Sequence, residues 1–206
     1  MMTSPEKMWN DRYAEKEYAY GELPNEFLKE KLNGISVGKL LLPADGEGRN
    51  GVYAATLNWE VYCCDISMEG QKKALSLASK KGVQINYEVG SFGDLDFEEN
   101  SFDAIALIYA HFPPHFRKEF HQRAMTLLKP GGVLILEGFS KNHLPYREKN
   151  PKVGGPNVLE MLFDIHEISS DFDGLQIQSL EEKEVELTEG IYHVGTGSVV
   201  RLIATK

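Results

Sequence analysis

Apolar residues along this chain fall into short compact runs separated by longer amphipathic stretches. The first compact run, Lys39 to Leu42, leads into glycines at 46, 48 and 51 and then into a helical pattern over Arg49 to Leu57. Glu60 to Asp65, reading EVYCCD, is too short for a helix and predicts a second strand. Ser67 is placed as the N-cap of a helix over Met68 to Lys81, which Gly82 stops. Ile85 to Val89 predicts a third strand, and a turn-rich piece from Asp94 to Ser101 follows. Phe102 to Tyr109, FDAIALIY, is apolar almost throughout, as a strand buried on both faces requires. Pro113 and Pro114 open a helix reaching about Leu128, KPGG ends it, and Gly132 to Phe139 is a fifth strand.

Alternating strand and helix patterns imply a parallel sheet with right-handed crossovers, an α/β fold. The pattern changes after Phe139. Residues 140–157 read as a long loop, Asn157 to about Ile168 as a helix, and Leu175 to Leu187 and Val194 to Ala204 as two strands. The connection between those strands, TEGIYHVGTG, is short, so the pair is expected to be antiparallel. With no internal repeat and no linker, residues 1–206 read as one domain. Within it, residues 1–32 form a helical extension, 38–139 the ligand-binding core and 140–206 a loop, helix and strand pair.

Composition narrows the possibilities. Hydrophobic residues make up 42% and charged residues 26% of the 206 positions, the balance of a soluble globular protein. A net charge of −9 argues against a nucleic-acid partner, which needs clustered Lys and Arg. No apolar run approaches the roughly 18 residues that span a bilayer, so no membrane partner is expected. The polar start, MMTSPEKMWNDRY, lacks a signal-peptide core, and the expected location is the cytoplasm. Cys63 and Cys64 are adjacent, so on a strand they face opposite ways and read as small buried hydrophobes rather than a redox or metal pair. Among the histidines, Pro113 and Pro114 separate His111 from His115, and His121 falls on another helix face, so no metal site is expected. His143 and His166 are expected on the surface.

GEGRNG is literally GxGxxG after a strand and before a helix, with Asp65 ending the next strand, where a ribose-binding acid belongs. Glycines let the main chain approach a ligand, and the helix start at Arg49 offers free N–H groups. A nicotinamide oxidoreductase is one reading, but it needs a second mononucleotide half for which the pattern after Phe139 leaves little room. The succession GEGRN with VYAA, VYCCDIS, FDAIALIYAHF and LKPGGVLILEGF resembles class I S-adenosylmethionine-dependent methyltransferases over nearly the whole chain. More narrowly, WNDRY, LLPADGEGRN and EG-x-x-H-x-G resemble the methyltransferases related to tellurite-resistance and thiopurine-methylating enzymes.

That resemblance implies a single doubly wound, mostly parallel, seven-stranded sheet with its last strand antiparallel, and S-adenosylmethionine as cofactor. Ala44, Gly46 and Arg49 would then lie against the methionine and ribose portions, and Asp65 would accept the ribose hydroxyls. Ile66, Ser91 and Phe92 would meet the adenine, and Tyr109 and Ala110 would wall the cofactor beyond the fourth strand. The N-terminal segment, with Trp9, Arg12, Tyr13 and Tyr20, would fold over the cofactor as a lid; an aromatic face packed on the sheet's helices is the alternative. Three positions depart from the family: Leu42 replaces the acid at the end of the first strand, Ala44 replaces the first glycine of the loop, and Ser91 replaces the adenine-binding acid. Asp45 is a candidate substitute for the lost acid. These departures keep open a nucleoside-binding module without turnover.

Methyl transfer from a sulfonium is an in-line displacement that rests mainly on alignment and exclusion of water. A base is needed only for an acceptor that arrives protonated. By its place after the fourth strand, His111 is the first candidate base; its alternative is to satisfy loop backbone groups. His193, in the turn between the last strands, is the second, against the alternative of an exposed turn residue. Glu137 is a candidate for binding or orienting substrate. Residues 140–157 carry Lys141, Arg147, Lys149 and Lys152, which makes Tyr146 and Arg147 candidate contacts to an anionic substrate, with a solvated loop as the alternative. The acceptor class expected is a small molecule, a thiol or a chalcogen oxyanion such as tellurite.

Overall fold

The structure, a computed structural model, describes residues 4–206. Its strands are β1 (Lys39–Pro43), β2 (Glu60–Asp65), β3 (Asn86–Val89), β4 (Phe102–Ile108), β5 (Leu128–Phe139), β6 (Gln176–Glu189) and β7 (His193–Thr205). They form one seven-stranded sheet in the order β3-β2-β1-β4-β5-β7-β6. Every pairing from β3 to β5 is parallel, and β7 runs antiparallel to both β5 and β6. This is the fold class expected. No second parallel half follows β5, so the layout of a nicotinamide dehydrogenase is absent among the described residues.

The helices are α1 (Pro5–Tyr13), α2 (Glu26–Leu32), α3 (Arg49–Thr56), α4 (Met68–Lys81), α5 (Pro114–Leu127), α6 (Leu144–Lys149) and α7 (Ile165–Asp171). They cover both faces of the sheet, which explains the near-continuous apolar run of β4. Ile105 and Leu107 enter one core with Leu41, Phe112, Phe120 and Leu134, while Ala104, Ala106 and Ile108 enter the other with Leu40, Leu42 and Trp59. Strand geometry sends alternate side chains to opposite faces, and here both faces are dry. The caps lie where local chemistry puts them: Ser67 Oγ accepts from Gly70 N at 3.0 Å, and Gly82 closes α4 at φ 69°. No helix among the described residues is long and apolar enough to cross a membrane.

Residues 140–157 are not a loop without structure. They form a 3-10 turn (Lys141–His143), α6 and a second 3-10 turn (Pro151–Val153). A satellite core of Phe139, Val153, Leu162, Leu187 and Val199 holds them against the hairpin. His143, expected on the surface, is fully buried there. Its ring stacks on Phe139 at 4.0 Å, its Nε2 donates to the Gly154 carbonyl at 3.1 Å, and its Nδ1 accepts from Ser198 N at 3.3 Å. His166 is exposed. The helix expected from Asn157 is instead a 3-10 turn (Leu159–Met161) followed by α7. Asp164 breaks the two apart by capping α7, accepting from His166 N at 2.9 Å.

Candidate active site

β1 and β4 are neighbours whose crossovers leave in opposite directions, so the sheet has its switch point between them; in sheets of this kind ligands bind in the crevice at the carboxyl ends of the strands there. Two strained residues stand at that place. Ala44 follows β1 at φ 57° and Tyr109 follows β4 at φ 52°. Left-handed backbone is costly for residues with a Cβ and concentrates at functional sites. The remaining non-glycine residues of this kind, Asn58 and Asn100, are asparagines, which tolerate it.

The glycine turn is built for close approach. Gly46 has φ 54° and Gly48, which caps α3, φ 81°; a Cβ on Gly48 would collide with Ala74, and one on Gly46 with the Tyr13 hydroxyl. Asp65 faces this turn, its Oδ2 accepting from Gly46 N at 3.1 Å and its Oδ1 from Ser67 N at 2.9 Å. Ser67 supplies the α4 cap, so Asp65 is not needed for that duty. Burial pushes the Asp65 carboxyl up to about 6, against the opposing pull of those N–H groups. Ile66 and Ser91 are half-buried beside it. Phe92 is placed elsewhere: its ring lies in the core 6.0 Å from Phe112 and 5.8 Å from Phe120, and does not reach the rim. Leu42 is buried in the apolar core. Asp45 turns back under α3, where Oδ2 accepts from Gly51 N at 3.1 Å and from the Cys63 thiol at 3.3 Å. Its Oδ1 is buried without a partner among the described residues, and burial pushes its carboxyl up to about 7.

At the end of β4, Ala110 is buried, and the Tyr109 hydroxyl is buried with no hydrogen-bond partner among the described residues. His111 spends both ring nitrogens on backbone: Nδ1 donates to the Met161 carbonyl at 2.8 Å and Nε2 accepts from Phe139 N at 3.0 Å. Burial pushes it down to about 3. The structure thus assigns His111 to the alternative role, a latch between loop and strand, because no lone pair is left to take a proton.

His193 is not an exposed turn residue. It is 4% exposed, between the rings of Tyr20 at 4.4 Å, Tyr109 at 4.5 Å and Phe139 at 5.2 Å. Its Nδ1 donates to Glu189 Oε2 at 2.9 Å. Burial pushes its pKa down, with Glu189 opposing. Glu189 also takes Arg49 Nη2 at 2.9 Å and, through Oε1, Asn25 Nδ2 at 3.1 Å. Burial alone would raise the Glu189 carboxyl, but Arg49 and His193 hold it at about 2. Neither Glu189 nor Asn25 was singled out from sequence; the available signal was the spacing in EG-x-x-H, which closes a hairpin across three residues. Glu137 is buried and fully engaged, with Asn25 Nδ2 at 2.6 Å and Arg201 Nε at 2.5 Å from β7 directly opposite.

The N-terminal segment crosses this rim. Asn10 Oδ1 accepts from Ser67 Oγ at 2.8 Å and Glu69 N at 3.1 Å, which pins α1 to the start of α4. Arg12 donates to the Tyr20 hydroxyl at 2.8 Å and lies over the rings of Trp9 at 5.1 Å and Tyr192 at 4.6 Å. Ile191 N donates to the Ala19 carbonyl at 3.0 Å, joining the segment to the β6–β7 turn. Tyr146 and Arg147 are turned to other work: the Tyr146 hydroxyl donates to Glu184 at 2.5 Å and Arg147 Nε to the Gly155 carbonyl at 3.0 Å. Among the described residues no three His, Cys, Asp or Glu side chains are grouped to hold a metal.

Residues 43–132 match a family described as a methyltransferase domain. No curated protein sequence matches the chain. Among solved structures, one described as "Conversion of a Disulfide Bond into a Thioacetal Group during Echinomycin Biosynthesis" aligns with a TM-score of 0.77 at 17% identity, over 98% of this chain and 92% of that one. TehB from Haemophilus influenzae aligns with a TM-score of 0.70 at 15% identity, over 98% of this chain and 66% of that one. Magnesium protoporphyrin IX methyltransferase from Synechocystis with bound S-adenosylhomocysteine aligns with a TM-score of 0.65 at 15% identity, over 88% and 82%. At these identities the solved structures establish the fold, and the matched domain covers the switch-point crevice itself. The chain thus has the Rossmann-like methyltransferase fold, and the part of it that carries the glycine turn, Asp65 and Tyr109 matches a methyltransferase domain.

Proposed function

We propose that the protein methylates a small-molecule thiol, with His193 as the base that takes the thiol proton. The observation that carries this is the buried His193–Glu189 pair set against Tyr109, the residue that ends β4. A neutral imidazole whose pKa is pushed down by burial accepts a proton from an acceptor of pKa near 8.5 only with a charged neighbour to steady it, and Glu189 is that neighbour.

The residues fit the cofactor. Ala44, Gly46 and the first turn of α3 at Arg49 form the seat for its amino-acid end, and Asp65 accepts the ribose hydroxyls. Ile66 and Ser91 flank the adenine, and Tyr109 and Ala110 line the side toward the acceptor. When bound, the cofactor supplies an electrophilic methyl group on a sulfonium. The chain's own part is to bind, align, exclude water and hold the acceptor's proton. Residues 4–32, through Tyr13 on Gly46 and through Trp9 and Arg12 at the turn, act as the lid; residues 1–3 lie outside the described part. Residues 38–139 bind the cofactor, and 140–206 supply the acceptor side.

A second reading, a chalcogen oxyanion as acceptor, draws on WNDRY and EG-x-x-H-x-G and on the likeness to TehB over 98% of this chain. An oxyanion that arrives deprotonated needs no base. Methyl-transfer assays with small thiols and with tellurite or selenite, on the wild type and His193→Gln, separate the two. A thiol activity lost in the variant supports the first; an oxyanion activity indifferent to it supports the second. Binding of S-adenosylhomocysteine without turnover of any acceptor counts against both.

A further inference from the structure

We propose that Glu189 is a positioning residue for this transfer: it holds His193 in the Nδ1–H tautomer, keeps Nε2 bare as the proton acceptor, and ties that state through Arg49 to the first turn of the cofactor helix. This rests on the reading of the rim as a methyl-transfer centre. Glu189 ends β6 and His193 starts β7, and the two are partners in the register that closes the hairpin. The turn between them is pinned. Gly190 has φ 61° and lies so close to Ala19 and Gly21 that a Cβ would strike their backbone. His193 therefore has little freedom, and its Nδ1 has one acceptor, Glu189 Oε2 at 2.9 Å. Its Nε2 has no hydrogen-bond partner among the described residues and lies beside Gly154.

The carboxylate is held from three sides, by His193 and Arg49 on Oε2 and by Asn25 on Oε1. Arg49 is the first residue of α3, and its Nη1 donates to the Leu23 carbonyl at 3.2 Å. A shift of the glycine turn thus reaches the imidazole through two charged hydrogen bonds. In the step concerned, the acceptor's S–H bond breaks, the proton passes to His193 Nε2, and the electron pair stays on the acceptor sulfur. The resulting imidazolium is balanced by Glu189. The other groups around His193 are Arg49 from α3, Arg12 from α1, Tyr20 from the N-terminal strap (residues 14–25), Tyr109 at the end of β4, and His111 and His143 beyond Phe139. Glu189 is the only carboxylate in contact with it among the described residues.

The test is long-range nitrogen-15 NMR of the imidazoles in the full chain with S-adenosylhomocysteine, with His193→Gln to assign the signals. The wild type is expected to show a protonated Nδ1 and a bare Nε2 at residue 193, and Glu189→Gln to lower the His193 pKa by about one unit or more. With thiol acceptors, Glu189→Gln should lower kcat at least 10-fold with KM within about threefold, and move the acid limb of the rate profile to lower pH. A wild-type proton on Nε2 overturns the proposal without any variant having to fold, as does an unchanged pKa and kcat in Glu189→Gln. Failure of wild type to bind S-adenosylhomocysteine in calorimetry would strike the reading of the rim instead, leaving the tautomer measurement to stand by itself.

Discussion

Single residues here do work that their identity alone does not reveal. Asp65 and Asp45 are both carboxyls at the crevice, yet one faces the glycine turn and the other lies under α3. Asp65→Ala should weaken S-adenosylhomocysteine binding roughly 10- to 150-fold, the equivalent of about 1.5–3 kcal/mol for hydrogen bonds to a charged group. Burial pushes the Asp65 carboxyl up to about 6, and in the proposed ribose-binding role only its ionised form would accept both hydroxyls, so wild-type affinity measured by calorimetry should fall as pH drops below 6. Asp45 bears on folding rather than on binding. Its folded pKa of about 7 lies above the unfolded value of 3.8, so its contribution to stability is intact below pH 4 and lost as pH rises through 7. Asp45→Asn should be more stable than wild type at pH 8 by roughly 2–4 kcal/mol and indistinguishable from it near pH 4, read from urea denaturation midpoints.

At the level of elements, the β6–β7 hairpin and the N-terminal strap form one clasp. The strap passes over Gly190 with no space for a side chain, so Gly190→Ala adds both left-handed strain and a backbone collision. It should cost on the order of 1–3 kcal/mol and speed hydrogen exchange at Ile191 N, which donates to Ala19. The segment 140–157 shows the same dependence on neighbours. Its polar composition reads as loop, yet Val153 and His143 are drawn into a core supplied by Phe139, Leu187 and Val199 from other elements. His111 is a further example. Its place after β4 suggests chemistry, but the Met161 carbonyl and Phe139 N, both remote in sequence, claim its nitrogens. His111→Ala should therefore lower stability and leave the proton transfer proposed for His193 operative in the folded fraction.

At the scale of the whole molecule, the sheet order decides which loops meet. The carboxyl ends of β1, β2 and β4 bring Ala44, Asp65 and Tyr109 together, and the antiparallel return of β7 brings His193 to the same rim. If residues 4–32 act as the proposed lid, saturating S-adenosylhomocysteine should protect amides of α1 and of the segment through residue 25 from hydrogen exchange; protection confined to α3 and α4 would count against that role. The alternation of short apolar runs and amphipathic helices was sufficient to determine the strands, the parallel sheet and the antiparallel pair. The glycine turn and Asp65 were legible because their spacing within one βα unit is local. Local patterns encode backbone geometry, since period, caps and turn residues act over a few positions. The sequence could not say that Glu189 rather than water would meet His193, that Phe92 would enter the core, or that Glu137 would be taken by Arg201. Those pairings join residues far apart in the chain, and only the packed sheet decides which burial penalties are met by which partners.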